Sequence, residues 1–162
     1  MIIARNPSRI ATAALFLIIA ALVADAWAQT PPAIRLIDYV NAARIQYGLP
    51  AIPEHIRLSR AARIHARDMA QNGFVSHQGS DGSGFEERVS RTSYAWTLVA
   101  ENVAAGQPTV QEVIRGWMKS PGHKENILNE KISEIGAGHV SVPNTGVGGN
   151  YTHFWVVVFG RR

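Results

Sequence analysis

The sequence predicts an α/β fold, a three-layer α-β-α sandwich with a small central, mainly antiparallel sheet. Apolar residues recur at helical spacing between Ile34 and Asn129, and strand-like patterns follow only after that point. The run Phe154–Phe159 is apolar at every position, which is typical of a strand covered on both faces. Such a strand needs a layer of helices on each side of its sheet.

The first two predicted helices are amphipathic and end at glycine. The first begins near Ile34 and ends at Gly48-Leu49-Pro50, where glycine can form a C-cap and proline prevents continuation. The second repeats the i, i+3, i+4, i+7 apolar pattern from Leu58 to Met69 and ends at Asn72-Gly73.

A polar, glycine-rich loop separates these helices from the next ones. The loop covers Ser76–Gly84, and a short helix around Phe85–Arg91 follows it. Pro108-Thr109 opens a third strong helix. Ser120-Pro121 is typical of another helix start, because serine caps helix N-termini and proline favours the first helical position.

The strand patterns lie at the end of the chain. Ile135–Val140 and Phe154–Phe159 are the predicted strands, and the second is expected at the centre of the sheet. Between them, Ser141–Thr152 is rich in Gly, Pro and Asn and predicts a long hairpin loop.

The N-terminus has the three parts of a secretory signal peptide. Arg5 and Arg9 give a basic start, Ile10–Ala24 is a 15-residue run interrupted only by one threonine, and Ala26-Trp27-Ala28 matches a processing site. The apolar run is shorter than the roughly 18 residues that a membrane span needs. We therefore predict a signal peptide over 1–28, cleavage between Ala28 and Gln29, and a secreted or periplasmic protein with no transmembrane segment after processing. A short lead-in, 29–33, precedes a single domain over 34–160.

Charge and cysteine content exclude several functions. Removing the signal peptide takes away two arginines and one aspartate, so the net charge falls from +4 to +3, with the basic residues scattered. Nucleic-acid binding usually needs a concentrated basic face, and none is visible. The absence of Cys excludes cysteine nucleophiles, cysteine-based zinc sites, redox chemistry and lipoprotein anchoring. We expect a monomer stabilised by its apolar core.

Three residues are candidates for a functional site. Glu101 lies in a largely apolar run, where a carboxylate is costly to bury unless a cation, a metal or a histidine pairs with it. His77 opens the polar loop. His123 follows the helix start at Ser120, where the helix dipole should keep its imidazole neutral. Two His and one Glu could form a metal site, although structural hydrogen bonding is an equally open role for each.

The remaining histidines have plainer interpretations. His65 lies on the inner face of the second helix and is expected to be a packed, hydrogen-bonded core residue. His55 is expected to be solvated, and His139 and His153 are expected to face solvent from the hairpin.

Four ordered motifs resemble the CAP superfamily, which includes cysteine-rich secretory proteins, antigen 5 and plant pathogenesis-related proteins. The resemblance is strongest to bacterial SCP-like members and covers about Ile34 to Gly160. The matching segments are Ser76-His77, Glu101–Gln107, Trp117–Leu128, and Ile135–Gly138 with Phe159-Gly160; Asn41, Arg44, Gly48–Pro50 and His65–Ala70 also match.

The resemblance implies an α-β-α sandwich with a cleft lined by two His and two Glu. His77 matches the first His, Glu101 the first Glu, and His123 the second His. The second Glu follows a tryptophan in animal and plant members, whereas Met118, Lys119 and Ser120 follow Trp117 here. The missing acid weakens any inherited expectation of catalysis and leaves a His/Glu/His set as the expected site for a divalent metal such as zinc.

Three functions remain open at this stage. The first is a binding module for an extracytoplasmic protein or envelope component. The second is a metal-dependent hydrolase with Glu101 as general base, completed by Asp81 or Glu86, although both are more typical of solvated loop charges. The third is a lipid or sterol carrier with a groove near Tyr94, Trp96 and Trp117, although such aromatics more often pack in a core.

Overall fold

The computed structural model describes residues 30–143 and 150–162. Five helices and three strands are present in these ranges. The helices are α1 (Pro32–Gln46), α2 (Ile56–Asn72), α3 (Phe85–Ser90), α4 (Val110–Lys119) and α5 (Pro121–Ile127), and the strands are β1 (Leu98–Ala105), β2 (Glu134–Ser141) and β3 (His153–Arg161). The predicted signal peptide and its cleavage point lie outside the described residues, as do residues 144–149 of the predicted hairpin loop.

The helix boundaries follow the local signals in the sequence. Gly73 ends α2 in the left-handed conformation, with a φ of 67°, and its N–H bonds to the Met69 carbonyl. Thr109 caps α4 through its side chain, which accepts from the Glu112 N–H. Pro121 occupies the first turn of α5, as the Ser120-Pro121 pair predicts. None of the helices in the described ranges combines the length and apolar character needed to cross a bilayer.

The sheet is antiparallel throughout, with the strand order β1-β3-β2. β3 is central, and Phe154 to Gly160 are all buried, which confirms the prediction from its apolar sequence. β1 was not predicted as a strand. Its run of Ala, Glu and Asn has weak strand preference, and pairing with β3 along its whole length stabilises it as an edge strand.

Helices cover both faces of the sheet and form the predicted three layers. On one face, α1, α4 and α5 bury large side chains against β2 and β3, including Leu36, Trp117, Trp155 and Phe159. We call this the α1/α4/α5 face. On the other face, α2 and α3 pack on the alternate residues of β3, Phe154, Val156 and Val158. We call this the α2 face.

Glycines bring β2 into very close contact with α2. A Cβ at Gly136 would lie 2.1 Å from the Ser59 backbone nitrogen, and one at Gly138 would lie 2.4 Å from the Ala62 carbonyl carbon. Only glycine allows strand and helix backbones to approach this far. This contact explains why glycine occupies positions 136 and 138 of the Ile135–Gly138 motif.

Two predictions about surface histidines were wrong. His139 and His153 are half-buried, not solvent-facing, and Nε2 of His139 shares a 3.1 Å hydrogen bond with Nδ1 of His153. The His139 ring also stacks on Trp155 with centroids 3.9 Å apart. The antiparallel register places His139 directly opposite Trp155 on the same side of the sheet, so tertiary pairing buries rings that a loop position would expose.

Candidate functional site

Glu101 is buried near the edge of the sheet. It lies in the middle of β1, opposite Val158 of β3, and is only 3% exposed. Side chains alternate along a strand, so Glu101 shares the α2 face with Val99 and Val103, and Asn102 points to the other face. Because β1 is an edge strand, groups from both helical layers can meet beside it.

Arg88 of α3 neutralises the Glu101 carboxylate. Its Nη2 donates to Oε2 at 2.9 Å and to Oε1 at 3.1 Å, and both side chains are almost fully buried. Arg88 also donates to the carbonyls of Ser83 and His77. These bonds hold the loop and the carboxylate around one guanidinium. They confirm the sequence-based expectation that Glu101 needs a cation or histidine partner.

His77 is the second partner of Glu101. Its Nδ1 lies 3.0 Å from Oε1. A carboxylate paired with an arginine can only accept, so Nδ1 must carry the proton and donate it. In the neutral imidazole this tautomer leaves the lone pair on Nε2, on a side chain that is about half exposed (51%).

His123 approaches β1 from the α1/α4/α5 face. Its backbone carbonyl accepts from Asn102 Nδ2, while Asn126 Nδ2 donates to the Glu101 carbonyl and to Asn102 Oδ1. These amide bonds fasten α5 to the strand that carries Glu101.

The pKa of His123 is lowered mainly by burial, and the neighbouring His77 lowers it further. The sequence argument therefore gave the correct direction but assigned it to the helix dipole.

The three-ligand metal site remains a prediction. Within the described residues, no three His, Asp or Glu side chains are grouped so as to hold a metal ion. Both Glu101 oxygens are already bonded to Arg88, so the donor set available at the cleft consists of two imidazoles and solvent. The carboxylate that orients His77 matches the outer hydrogen-bond partner of a zinc-binding histidine, but two imidazoles are one fewer than the three protein ligands that zinc sites usually have.

The other candidate acids are exposed and show no contact with His77, Glu101 or His123 in the described residues. Asp81 is half exposed and forms a 2.6 Å ion pair with Arg91, and Glu86 is exposed. At the position of the missing second acid, Met118 packs against the apolar core of the α1/α4/α5 face and Lys119 is exposed.

The proposed aromatic groove does not form. Tyr94 packs on the α2 face and Trp117 on the α1/α4/α5 face, so the sheet separates them. Tyr94 donates to Glu134, and Trp117 Nε1 donates to the Val103 carbonyl at 3.1 Å.

The other two histidines have structural contacts. His65 is fully buried and hydrogen-bonded to the Ser76 carbonyl at 2.7 Å, as predicted for a core residue. His55 is not simply solvated, because it caps α2 and packs edge-on against Tyr94.

Sequence reasoning missed three residues of the site. Arg88 is spaced three residues after Phe85 and adjoins buried Val89, which could have signalled an inward cation. Asn102 and Asn126 lie within the matching motifs, but no local sequence pattern predicts a hydrogen bond between side chains 24 residues apart.

The profile of the cysteine-rich secretory protein (CAP) family matches residues 37–159. The chain therefore belongs to this family, as the motifs indicated.

Among individual relatives, the uncharacterized protein YkwD of Bacillus subtilis is 36% identical over 107 residues, which is 65% of this chain and 41% of YkwD. The uncharacterized membrane protein YlbC of the same species is 24% identical over 110 residues, 68% of this chain and 32% of YlbC. The chain thus spans less than half the length of these two relatives.

Solved structures share the fold. An extracellular protein containing an SCP domain from Bacillus anthracis superposes with a TM-score of 0.70 at 26% identity, covering 81% of this chain and 40% of that one. An outer surface protein from Borrelia burgdorferi also gives a TM-score of 0.70, at 24% identity, covering 78% of this chain and 90% of that one.

Proposed function

We propose that this CAP-family protein acts outside the cytoplasm as a binding module, with its ligand held in the cleft formed by His77, Glu101 and His123. The observation that carries the proposal is the Arg88–Glu101 pair, in which one guanidinium bonds both carboxylate oxygens. A general base needs a carboxylate free to take a proton near the substrate. Here the carboxylate orients His77 instead, which favours binding over hydrolysis.

A divalent metal such as zinc is the proposed occupant of the cleft. His77 and His123 would supply nitrogen ligands, and Glu101 would fix the His77 tautomer that directs Nε2 outward. The metal, when bound, would supply a Lewis acid able to attract a carbonyl, carboxylate or phosphate group of a partner. The partner class that we propose is an extracytoplasmic protein, an envelope component or a lipid.

The extracytoplasmic location rests on two supports. The N-terminal 28 residues have the pattern of a signal peptide, and two structural relatives carry the descriptions extracellular protein and outer surface protein. Protein recovered from a culture or periplasmic fraction should begin at Gln29. A chain that still begins at Met1 would contradict the predicted processing.

Calorimetric zinc titration tests the cleft. We expect one zinc per chain in the wild type, and His77→Ala and His123→Ala should each weaken binding by about tenfold or more. His153→Ala is the matched control, because His153 lies outside the cleft and pairs with His139. No binding at micromolar zinc, or binding unchanged in both cleft variants, would contradict the metal site.

The hydrolase alternative has a separate test. With zinc present, the wild type should leave peptides, esters and cell-wall fragments intact. Turnover that disappears in Glu101→Gln would overturn the binding proposal. Native mass spectrometry tests the lipid as a partner, since a co-purifying lipid would appear as added mass.

A further inference from the structure

A second concave site has Arg88 in its lining but not His77, Glu101 or His123. It is a pocket of about 450 Å³ between α2, α3 and the loop that joins them. One wall is a stripe of α2 residues at helical spacing: Arg60, Ile64, Arg67, Asp68 and Gln71. The Asp68 carboxylate already accepts hydrogen bonds from Asn72 and Ser80. The opposite wall and the floor come from α3 and the loop: Ser80, Asp81, Ser83, Arg88, Arg91 and Thr92.

Two arginines of the pocket have no charge partner. Arg88 pairs with Glu101, and Arg91 pairs with Asp81 and Glu87. Arg60 and Arg67 are exposed and form no ion pair or hydrogen bond with any residue that the structure describes. They are seven residues apart on one helix face, about 10 Å along the axis. Their guanidinium groups are therefore free to bind an anion.

Two polar atoms in the pocket lining make no hydrogen bond of good geometry with the described residues. His65 is fully buried, and its Nε2 must carry a proton because it bonds to the Ser76 carbonyl. Burial lowers the pKa of His65, so the ring is neutral and Nδ1 holds an unshared lone pair. This Nδ1 is buried without a partner, and the Ser83 hydroxyl, buried beside the Asp81 carboxylate, makes no hydrogen bond of good geometry.

These groups select a ligand chemistry. Nδ1 of His65 can only accept, so it requires a donor from the ligand, and the Ser83 hydroxyl can donate in return. The lining holds four arginines against two carboxylates, those of Asp68 and Asp81, so its net positive charge disfavours an ammonium donor and favours a hydroxyl. The guanidinium groups favour a carboxylate or phosphate, and Ile64 with the arginine stems can contact the C–H face of a ring.

We infer that this pocket binds a small hydroxylated organic anion, of the sugar-acid or sugar-phosphate class, independently of the metal cleft. Its anionic group is held by Arg60 and Arg67, and its hydroxyls reach His65 and Ser83 at the base.

Calorimetric titration of the full chain with four probes tests this inference. Glucuronate and glucose 6-phosphate should both bind, and neutral glucose and acetate should bind about tenfold more weakly or not at all. The stronger of the two acids identifies a carboxylate or a phosphate source. Acetate binding as tightly as glucuronate would overturn the proposal, because it would show simple charge attraction. Failure of both glucuronate and glucose 6-phosphate to bind would also overturn the proposal.

Matched variants locate the binding. Arg60→Ala and Arg67→Ala should each weaken glucuronate about tenfold, whereas Arg63→Ala, exposed on the same helix but outside the pocket, should have no effect. Ser83→Ala should reduce the preference for glucuronate over acetate. His77→Ala should leave glucuronate binding unchanged, which separates this pocket from the cleft. Equal losses in Arg63→Ala and Arg67→Ala would contradict the site.

Discussion

Each face of the sheet buries an arginine, and the two arginines differ in their hydrogen-bond acceptors. On the α1/α4/α5 face, Arg44 is 1% exposed and donates only to backbone carbonyls, those of Pro50, Ile127 and Asn129. On the α2 face, Arg88 is 6% exposed and bonds a buried carboxylate. Arg44 therefore joins loops together, whereas Arg88 sets the charge of the cleft. The difference shows that a buried arginine identifies a site only through its partner.

The two faces also differ in the size of the side chains that pack between helix and sheet. The α2 face relies on Gly and Ala to bring α2 and β2 together, and the other face relies on large side chains such as Trp117 and Trp155. A close backbone contact cannot relax by changing rotamers, whereas large side chains can shift slightly. The face with the close backbone contact is the one that carries Glu101 and Arg88.

The largest expected effect comes from removing the buried cation. Arg88→Met leaves Glu101 buried without its partner, so the free energy of unfolding should fall by about 3–5 kcal/mol. The matched control is Arg91→Met, which breaks only half-exposed ion pairs with Asp81 and Glu87 and should leave the free energy of unfolding nearly unchanged. Urea denaturation measures both. Equal losses would mean that the Arg88–Glu101 pair is no more important than a surface pair.

The next effect tests the close contact of β2 with α2. In Gly138→Ala the new Cβ would meet α2 backbone atoms at 2.4–2.5 Å, so stability should fall by about 3 kcal/mol. Gly116→Ala in α4 is the control, because its Cβ would meet no atom within 4 Å. That change should stabilise the helix by about 0.5–1 kcal/mol. Thermal unfolding of both variants separates tight packing from a general effect of adding a methyl group.

The smallest effect is a pH dependence at the end of the α1/α4/α5 face. Burial, and secondarily the neighbouring His153, lowers the pKa of His139 to about 4, below the usual value of about 6.5 in unfolded chains. Between these pH values the unfolded chain binds a proton that the folded chain does not. Stability is therefore full above about pH 6.5 and falls as the pH drops towards 4.

Because His139 is partly exposed, we expect a loss of about 1–2 kcal/mol. His139→Gln removes the titrating group, so the difference in unfolding free energy between about pH 7 and pH 4.5 should shrink by that amount. An unchanged difference would show that other groups cause the acid sensitivity.

Local patterns made most elements predictable. Helix ends are set within one helical turn by Gly73, Thr109 and Pro121. The unbroken apolar run of β3 by itself predicts that the strand is buried. β1 escaped prediction because its Ala, Glu and Asn residues carry no strand pattern, and the strand exists because β3 pairs with it. The same limit applied to His139 and His153, whose burial depends on register with a neighbouring strand.

The sequence by itself determined the family, the order of the helices and of the last two strands, the central place of β3, and the need of Glu101 for a partner. The family follows from four ordered motifs, the elements from spacings of two to seven residues, and the need of Glu101 from the cost of burying a charge. Only the tertiary structure decided that Arg88 is that partner, that His77 donates to the same carboxylate, and that the aromatic residues lie on opposite faces of the sheet. Such contacts join residues 13 to 24 positions apart, and the path of the folded chain, not any local period, brings them together.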